Sequence, residues 1–148
     1  MIKPQAIPFE TTLHVRDHCM CLHAQRAARA LARRFDEVLK PAGITSGQFS
    51  LLMSLNRPAP PRMGAVAALL AMDHTTLTAN LKPLERRGLV KVEVDPADRR
   101  SRLLALTTEG VATLVEALPI WEREQAKVEQ LVAMTGADAV RADLRSLS

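Results

Sequence analysis

Threonine, asparagine and basic side chains are concentrated between residues 74 and 87, beside a stripe of leucines. Leu77, Leu81 and Leu84 recur at helical spacing, which predicts a helix with one buried face. Asparagine can pair with adenine through two hydrogen bonds, and a threonine methyl packs on the thymine methyl. The face away from the leucines could therefore read base edges in duplex DNA, with an ordinary solvated face as the alternative. Its side chains are Thr75, Thr76, Thr78, Ala79, Asn80 and Lys82, with Lys82, Arg86 and Arg87 expected nearer the phosphates.

A second candidate site is the group of three arginines in the segment Asp98-Arg99-Arg100-Ser101-Arg102. The preceding residues, Asp95-Pro96-Ala97-Asp98, have turn chemistry, so the arginines are expected around the tip of a hairpin. Arginine suits the narrow minor groove of DNA, where the negative potential is strongest. Asp98 is expected to pair with the Arg100 guanidinium and to aim it. A solvated turn is the alternative.

Histidine and cysteine are crowded into one stretch, which holds His14, His18, Cys19, Cys21 and His23. His14 and His18 are four residues apart on one predicted helix face, which makes them a candidate metal pair. The two cysteines would point to different sides of that helix and could not easily bridge each other. We favour the alternative that these residues pack at a dimer interface or line a cleft for an effector, since cysteine is most often a small buried hydrophobe.

The elements that must position these residues are mostly helical. Residues 13–40 are predicted to form one long helix that ends at Pro41 and Gly43. Thr45 and Gln48 match a capping box at the start of the next helix. An alanine-rich helix over residues 63–70 follows, and Asp73 is expected to cap the helix that carries the threonines. The apolar face of the first helix consists of Met20, Ala24, Ala27, Leu31, Phe35 and Val38.

The C-terminal half begins with two strand candidates. Val90, Val92 and Val94 alternate with charged residues, which predicts a half-buried strand, and residues 102–106 are the returning strand. Thr107 is expected to cap a long helix that Pro119 bends, and residues 138–147 form a short final helix. The predicted fold class is mainly α with a small β-hairpin wing: a winged helix-turn-helix plus a helical dimerisation region. We expect one domain over residues 1–148, with residues 45–107 as the winged helix-turn-helix and residues 11–40 and 108–148 as the dimerisation part.

The long first helix predicts a second copy of the chain. A helix of ~27 residues spans ~40 Å, whereas a domain of this size has a radius of gyration of ~15 Å. Such a helix would protrude with its apolar face in water unless a partner covered it. We therefore expect a homodimer with an interface built from both ends of the chain.

Charge is distributed unevenly along the 148 residues. Residues 57–102 carry nine Lys/Arg against five Asp/Glu, and residues 103–148 carry four against seven, so the middle is expected to meet a polyanion. Three Phe, one Trp and no Tyr disfavour single-strand binding, in which bases stack on aromatic rings. Residues 1–10 lack the apolar core of a signal peptide, no stretch approaches the ~20 residues of a membrane span, and the cysteine usage suits a reducing compartment. A cytoplasmic protein with no cofactor and no membrane contact is expected.

Five segments together resemble the MarR family of winged helix-turn-helix bacterial transcription regulators. The resemblance covers about residues 20 to 130 with the segments in the right order, and the combination is far more specific than any single piece. The segments are TSGQF at 45–49, LAMDHTTLTANL at 70–81, LERRGLV at 84–90, DPADRRS at 95–101 and LTTEG at 106–110.

The resemblance implies a homodimer on a pseudo-palindromic operator, with recognition helices in successive major grooves and wings in the flanking minor grooves. It implies a repressor that a small, often aromatic or phenolic, effector or an oxidant releases from the DNA. Relatives often carry arginine where this chain has His74 and Ala79, so here the wing is expected to carry more of the affinity. The expected DNA-contacting residues are Ser46, Thr75, Thr76, Thr78, Asn80, Lys82, Arg86, Asp98, Arg99, Arg100 and Arg102, of which Arg100 would enter the minor groove with Asp98 as its orienting partner.

Two alternative functions stay open. Cys19 resembles the reactive thiol of the family's organic-hydroperoxide sensors, which would make the chain a redox-sensing regulator with Cys21, His18 and His23 nearby. That branch engages its thiol with tyrosines, and this chain has none. The other alternative is a winged-helix protein-interaction module without DNA binding. An enzyme is not expected, because the sequence lacks a glycine-rich phosphate loop, a nucleophile elbow and a paired-carboxylate motif.

Overall fold

A computed structural model describes residues 6–148, so the first five residues of the segment expected to lack a signal peptide lie outside the described part. The chain is mainly helical with one antiparallel hairpin, which confirms the predicted fold class. In chain order the elements are α1 (Phe9–His18), α2 (Met20–Leu39), a short 3-10 turn (Lys40–Ala42), α3 (Ser46–Leu55), α4 (Met63–Leu69), α5 (His74–Arg86), β1 (Val90–Asp95), β2 (Asp98–Leu106), α6 (Thr108–Leu131) and α7 (Ala137–Ser146).

The first helix is interrupted, so the prediction of one helix over residues 13–40 is wrong. Cys19 has extended backbone angles (φ −70°, ψ 108°) and separates α1 from α2. Its sulfur accepts a hydrogen bond from the Leu22 backbone N–H at 3.4 Å, so a thiol takes the place of an oxygen cap at the start of α2. The sequence pattern did not reveal this because cysteine is not a usual capping residue.

The starts of α3 and α5 follow the sequence predictions. Thr45 and Gln48 form both hydrogen bonds of a capping box, and Asp73 accepts from the Thr76 backbone N–H at 2.7 Å. Leu77, Leu81 and Leu84 on α5 are buried as expected. They join a core that α2, α3, α4, α6 and the hairpin also supply, with Leu39, Leu52, Val66 and Leu104 among its fully buried side chains.

The hairpin differs from the prediction at its outer end. Strand β2 begins at Asp98 rather than Arg102, and Pro96 and Ala97 form the turn. The register with β1 shifts between Val94 and Asp95. This irregularity turns Asp95 inward and leaves Val94 half exposed, so the predicted inward alternation fails at its last valine. Near its middle, β2 pairs with Arg62 through an isolated bridge at Leu103.

Helix α6 begins where the sequence predicts, because Thr107 accepts a hydrogen bond from the Gly110 backbone N–H. A β-carbon at Gly110 would lie 2.2 Å from the Leu89 carbonyl oxygen, so this close approach to the hairpin requires glycine. The helix continues past Pro119 to Leu131.

The helices at the two ends of the chain are largely exposed. Neither α1 nor α7 contains a buried residue. Phe9 in α1 is 69% exposed and Leu147, directly after α7, is 60% exposed. Within residues 6–148, no helix combines the length and the apolar character needed to cross a membrane.

Candidate DNA-binding surface

The outer face of α5 is polar and open to solvent. Helical geometry puts Thr75, Ala79, Lys82 and Arg86 opposite the buried leucines, and all four are exposed. Hydrogen bonds from Thr76 lower the pKa of Asp73, the cap at the start of this face. The face has residue types that can contact base edges and phosphates in a groove of duplex DNA.

Two predicted reading residues lie on the flanks of α5 rather than on its outermost line. Each contacts the sulfur of a half-buried methionine. Asn80 Nδ2 donates to Met72 Sδ at 3.5 Å on one flank. Thr78 Oγ1 lies 3.9 Å from Met63 Sδ on the other. The sequence does not reveal either contact, because methionine sulfur is a weak acceptor with no characteristic spacing to its donor.

The basic side chains of this surface are not neutralised by the protein. Within residues 6–148, none of the ion pairs includes a basic residue of α5, of its C-terminal Arg87 or of β2. Elsewhere in the described chain Arg34, Arg62 and Arg141 each pair with a carboxylate, whereas Arg26, Arg33 and Arg145 are in no ion pair. The unpaired set on this surface is Lys82, Arg86, Arg87, Arg99, Arg100 and Arg102.

Asp98 does not pair with the Arg100 guanidinium, so that prediction is wrong. Its carboxylate accepts hydrogen bonds from the Arg100 backbone N–H at 3.0 Å and from the Ser101 hydroxyl at 3.4 Å. A short aspartate side chain reaches a backbone amide two residues ahead more easily than it reaches the end of a long arginine. The contact fixes the backbone under Arg100 and leaves its guanidinium free. Arg102 is held differently, since it donates to the carbonyl oxygens of Arg99 and Ser101 at 3.1 and 3.3 Å.

An ion pair joins the wing to the helix-turn-helix. Arg62 Nη2 lies 2.9 Å from Asp95 Oδ2, and the Asp95 side chain is only 7% exposed. The same carboxylate accepts from the Ala97 backbone N–H at 2.9 Å in the turn. The Leu104 backbone N–H donates to the Pro61 carbonyl oxygen beside this pair. These contacts fix the hairpin relative to α4.

The start of α3 lies beside α5. Ser46 is half-buried, and its backbone N–H donates to Asp36 Oδ1 at 2.7 Å. A small groove of about 180 Å³ runs between this helix start and α5, with Gly47, Gln48 and Asn80 in its wall. Asn80 is therefore close to the start of α3, whereas Thr75 and Lys82 line a separate groove on the other side of α5.

The cysteine and histidine residues near the start do not form a metal site among the described residues. The His14 and His18 rings stack with centroids 4.3 Å apart, and His18 Nδ1 is hydrogen-bonded to the His14 carbonyl oxygen. No group of three metal-binding side chains occurs in residues 6–148. Cys19 is half-buried, Cys21 is exposed and both are free thiols.

Two apolar clefts lie beside α6. One, of about 730 Å³, lies between the end of α2 and the middle of α6, where Val38, Pro41 and Ile120 meet the charged side chains Arg123 and Lys127. The other, of about 400 Å³, lies between α3, α4 and α6 beside the stacked rings of Phe49 and Trp121. Both clefts are lined mainly by apolar surface and are wide open to solvent.

The comparisons with known proteins agree with this geometry. A family profile described as "MarR family" matches residues 42–101. The solved structure of the Mycobacterium tuberculosis transcriptional regulator MosR in complex with DNA is 36% identical to this chain, with a TM-score of 0.80, and the match covers 88% of this chain and 93% of that chain. The chain belongs to the MarR family.

Two further MarR-type proteins extend the comparison. The transcriptional regulator HosA of Escherichia coli O111:H- is 35% identical over 78 residues, which are 52% of this chain. The match spans 57% of HosA, so it covers only a little over half the length of that curated relative. The transcriptional repressor CouR, solved on a 23-mer DNA duplex, is 26% identical with a TM-score of 0.78 over 97% of this chain and 99% of that chain. CouR has also been solved with p-coumaroyl-CoA, at 25% identity and a TM-score of 0.78, over 90% of this chain and 94% of that chain.

Proposed function

We propose that this MarR-family chain is a sequence-specific regulator of transcription that binds double-stranded DNA. The observation that carries the proposal is the set of unpaired basic side chains around the polar outer face of α5. Phosphates supply the missing counter-charges, and each neutralised phosphate releases counterions. Helix α5 enters the major groove with Thr75, Thr76, Thr78, Asn80, Lys82 and Arg86. The wing enters the minor groove with Arg99, Arg100 and Arg102, and Ser46 and Asp98 complete the contact set.

The binding unit is a homodimer on a pseudo-palindromic operator. Residues 45–107 form the DNA-binding part, and residues 11–40 and 108–148 form the dimerisation part. The absence of buried residues in α1 and α7 supports this division, because both helices need a partner to remove apolar surface from water. A two-fold axis then presents two copies of α5 one helical turn of DNA apart.

The proposed output is repression that a small organic effector relieves. The apolar clefts beside α6 support this step, since one lies between the long helices α2 and α6 and the other lies where α6 meets α3 and α4 of the DNA-binding part. A ligand that binds only one arrangement of the dimerisation and DNA-binding parts shifts the dimer towards that arrangement. The CouR complexes with DNA and with p-coumaroyl-CoA supply the precedent in a relative.

The test is fluorescence anisotropy with the full chain, on DNA from upstream of its own gene and on a scrambled duplex, across a salt series. We expect binding to the native fragment at least about a hundredfold tighter than to the scrambled one, with affinity falling by orders of magnitude between about 50 and 200 mM salt. Weak, equal and salt-insensitive binding to both duplexes would favour a protein-interaction module instead.

A further inference from the structure

Asn80 is exposed on the flank of α5, yet its carboxamide has a defined protein partner. The Nδ2 group donates to the Met72 sulfur at 3.5 Å. A thioether has lone pairs but no hydrogen to donate, so only the amide nitrogen can face it. The contact therefore selects one of the two orientations of the carboxamide, with Nδ2 towards Met72 and the oxygen away from it.

In this orientation the Asn80 carboxamide keeps one hydrogen-bond donor and one acceptor free for DNA. Nδ2 carries two hydrogens, and Met72 engages one of them. One N–H and the Oδ1 acceptor remain, which are the two groups that a bidentate contact with the adenine N7 and N6 amino group requires. We propose that Met72 is a positioning residue that presets Asn80 for reading adenine. This inference rests on the proposed function, since it assumes that α5 enters the major groove.

Core packing and backbone contacts restrain Met72. It is half-buried and packs against the hydrophobic core. Its backbone N–H donates to the Ala67 carbonyl oxygen at 2.9 Å, and the preceding Ala71 has a positive φ of 50°. Asp73, directly after it, caps α5. The turn between α4 and α5 therefore fixes the backbone of Met72, and packing against the core restricts its side chain before any DNA is bound, so less ordering is left to occur on binding.

The opposite flank supplies a matched control. Met63 is also half-buried and packs on the same core, but it faces Thr78 at the longer distance of 3.9 Å. A hydroxyl rotates to suit its partner, so the loss of this sulfur does not reorient a planar group. Replacement of either methionine by leucine nearly conserves volume and is expected to preserve folding.

The experiment measures base preference, not affinity alone. Each base pair of the operator half-site is substituted in turn, and binding of the wild type, Asn80→Ala, Met72→Leu and Met63→Leu is compared at one salt concentration. Asn80→Ala identifies the position that Asn80 reads. At that position Met72→Leu is expected to reduce the preference for A·T by about threefold to tenfold, with binding to a scrambled duplex and the melting temperature unchanged. Met63→Leu is expected to keep the preference.

The double variant Met72→Leu/Asn80→Ala is expected to equal Asn80→Ala alone, because Met72 acts through Asn80. An unaltered preference in Met72→Leu would overturn the inference, and so would an Asn80→Ala variant with no position-specific loss. A loss in Met72→Leu that persists in the Asn80→Ala background would also overturn it, because it would indicate a general packing effect. Each of these outcomes counts against the inference alone when the wild type still discriminates operator from scrambled DNA. A wild type that does not discriminate would instead remove the proposed function and the inference with it.

Discussion

Arg62, at the start of α4, and Asp95, at the outer end of β1, form an ion pair that ties the wing to the helix-turn-helix, with 2.9 Å between Nη2 and Oδ2. The carboxylate is almost fully buried, whereas the guanidinium is about half exposed. Such a pair contributes modest stability but fixes direction, since its partners come from different elements. Together with the hydrogen bond from Leu104 N–H to the Pro61 carbonyl oxygen, this contact holds the wing beside the start of α4.

Replacement of Arg62 by methionine should lower the free energy of unfolding by about 1 kcal/mol, because a nearly buried carboxylate loses one partner and keeps another. The free energy of operator binding should weaken by more than the free energy of unfolding does, since the wing is held less firmly beside the helix-turn-helix. Chemical denaturation and anisotropy on the same samples measure the two effects. Lys91→Met, which breaks the exposed pair with Glu93, serves as the control. Equal operator affinity in both variants would contradict the assigned role.

Arg100→Ala should weaken operator binding by about tenfold or more without a change in melting temperature. The side chain is exposed and the Asp98 contact that holds this part of β2 goes to the backbone, which the substitution retains. A removed groove contact of this kind costs roughly 1–3 kcal/mol. Arg123→Ala on α6 removes the same charge from a distant helix and should bind as the wild type does. If the two variants bind alike, the wing does not contribute in the way proposed.

The Glu124 carboxylate predicts a pH-dependent contribution to stability. The Arg34 guanidinium donates to it and, with Lys127 nearby, lowers the pKa of Glu124, although burial acts in the opposite direction. A lowered pKa in the folded state gives stability that is present above the unfolded pKa and is lost as the pH falls through the folded value. The melting temperature of Glu124→Gln should therefore lie below that of the wild type at pH 7, with the difference shrinking below about pH 4.5. Glu122→Gln, an exposed change on the same helix, should show no such trend, and a constant difference for Glu124→Gln would rule the linkage out.

Gly110→Ala should destabilise the protein by about 1–3 kcal/mol, because the new β-carbon would meet the Leu89 carbonyl oxygen and force α6 away from the hairpin. Gly47→Ala is the matched control, since a β-carbon there has nothing within 4 Å and the residue lies in α3. That change should be neutral or stabilising by up to about 1 kcal/mol. Urea denaturation of both variants decides the point, and equal stabilities would show that α6 adjusts at no cost.

Cys19→Ser should leave DNA binding and effector release intact. A serine hydroxyl can accept the same Leu22 N–H that the thiol accepts, so the start of α2 is preserved. Release from operator DNA with and without an organic hydroperoxide tests this expectation. Peroxide-induced release that the wild type shows and the variant loses would instead establish the redox-sensing alternative.

Sequence reasoning succeeded where the signal is local. The capping box at Thr45, the Asp73 cap and the leucine stripe of α5 each depend on residues within one or two helical turns, and each is present in the structure. It failed at Asp98, whose carboxylate binds the Arg100 backbone N–H and not the guanidinium. It also failed at Cys19, where a sulfur caps a helix in place of the usual oxygen. The ion pair of Arg62 with Asp95 was missed because a bulge, which the valine alternation does not reveal, turns the carboxylate inward.

The exposed surfaces of α1 and α7 make the amount of the proposed dimer depend on the concentration of the chain. If these helices complete their apolar contacts on another copy, as proposed, their order follows the law of mass action and weakens on dilution. A cell with few copies of the chain would hold a larger share of single subunits, each with one α5 and one wing. Operator occupancy would then rise more steeply than in proportion to copy number, so modest changes in synthesis would switch the regulated promoter sharply.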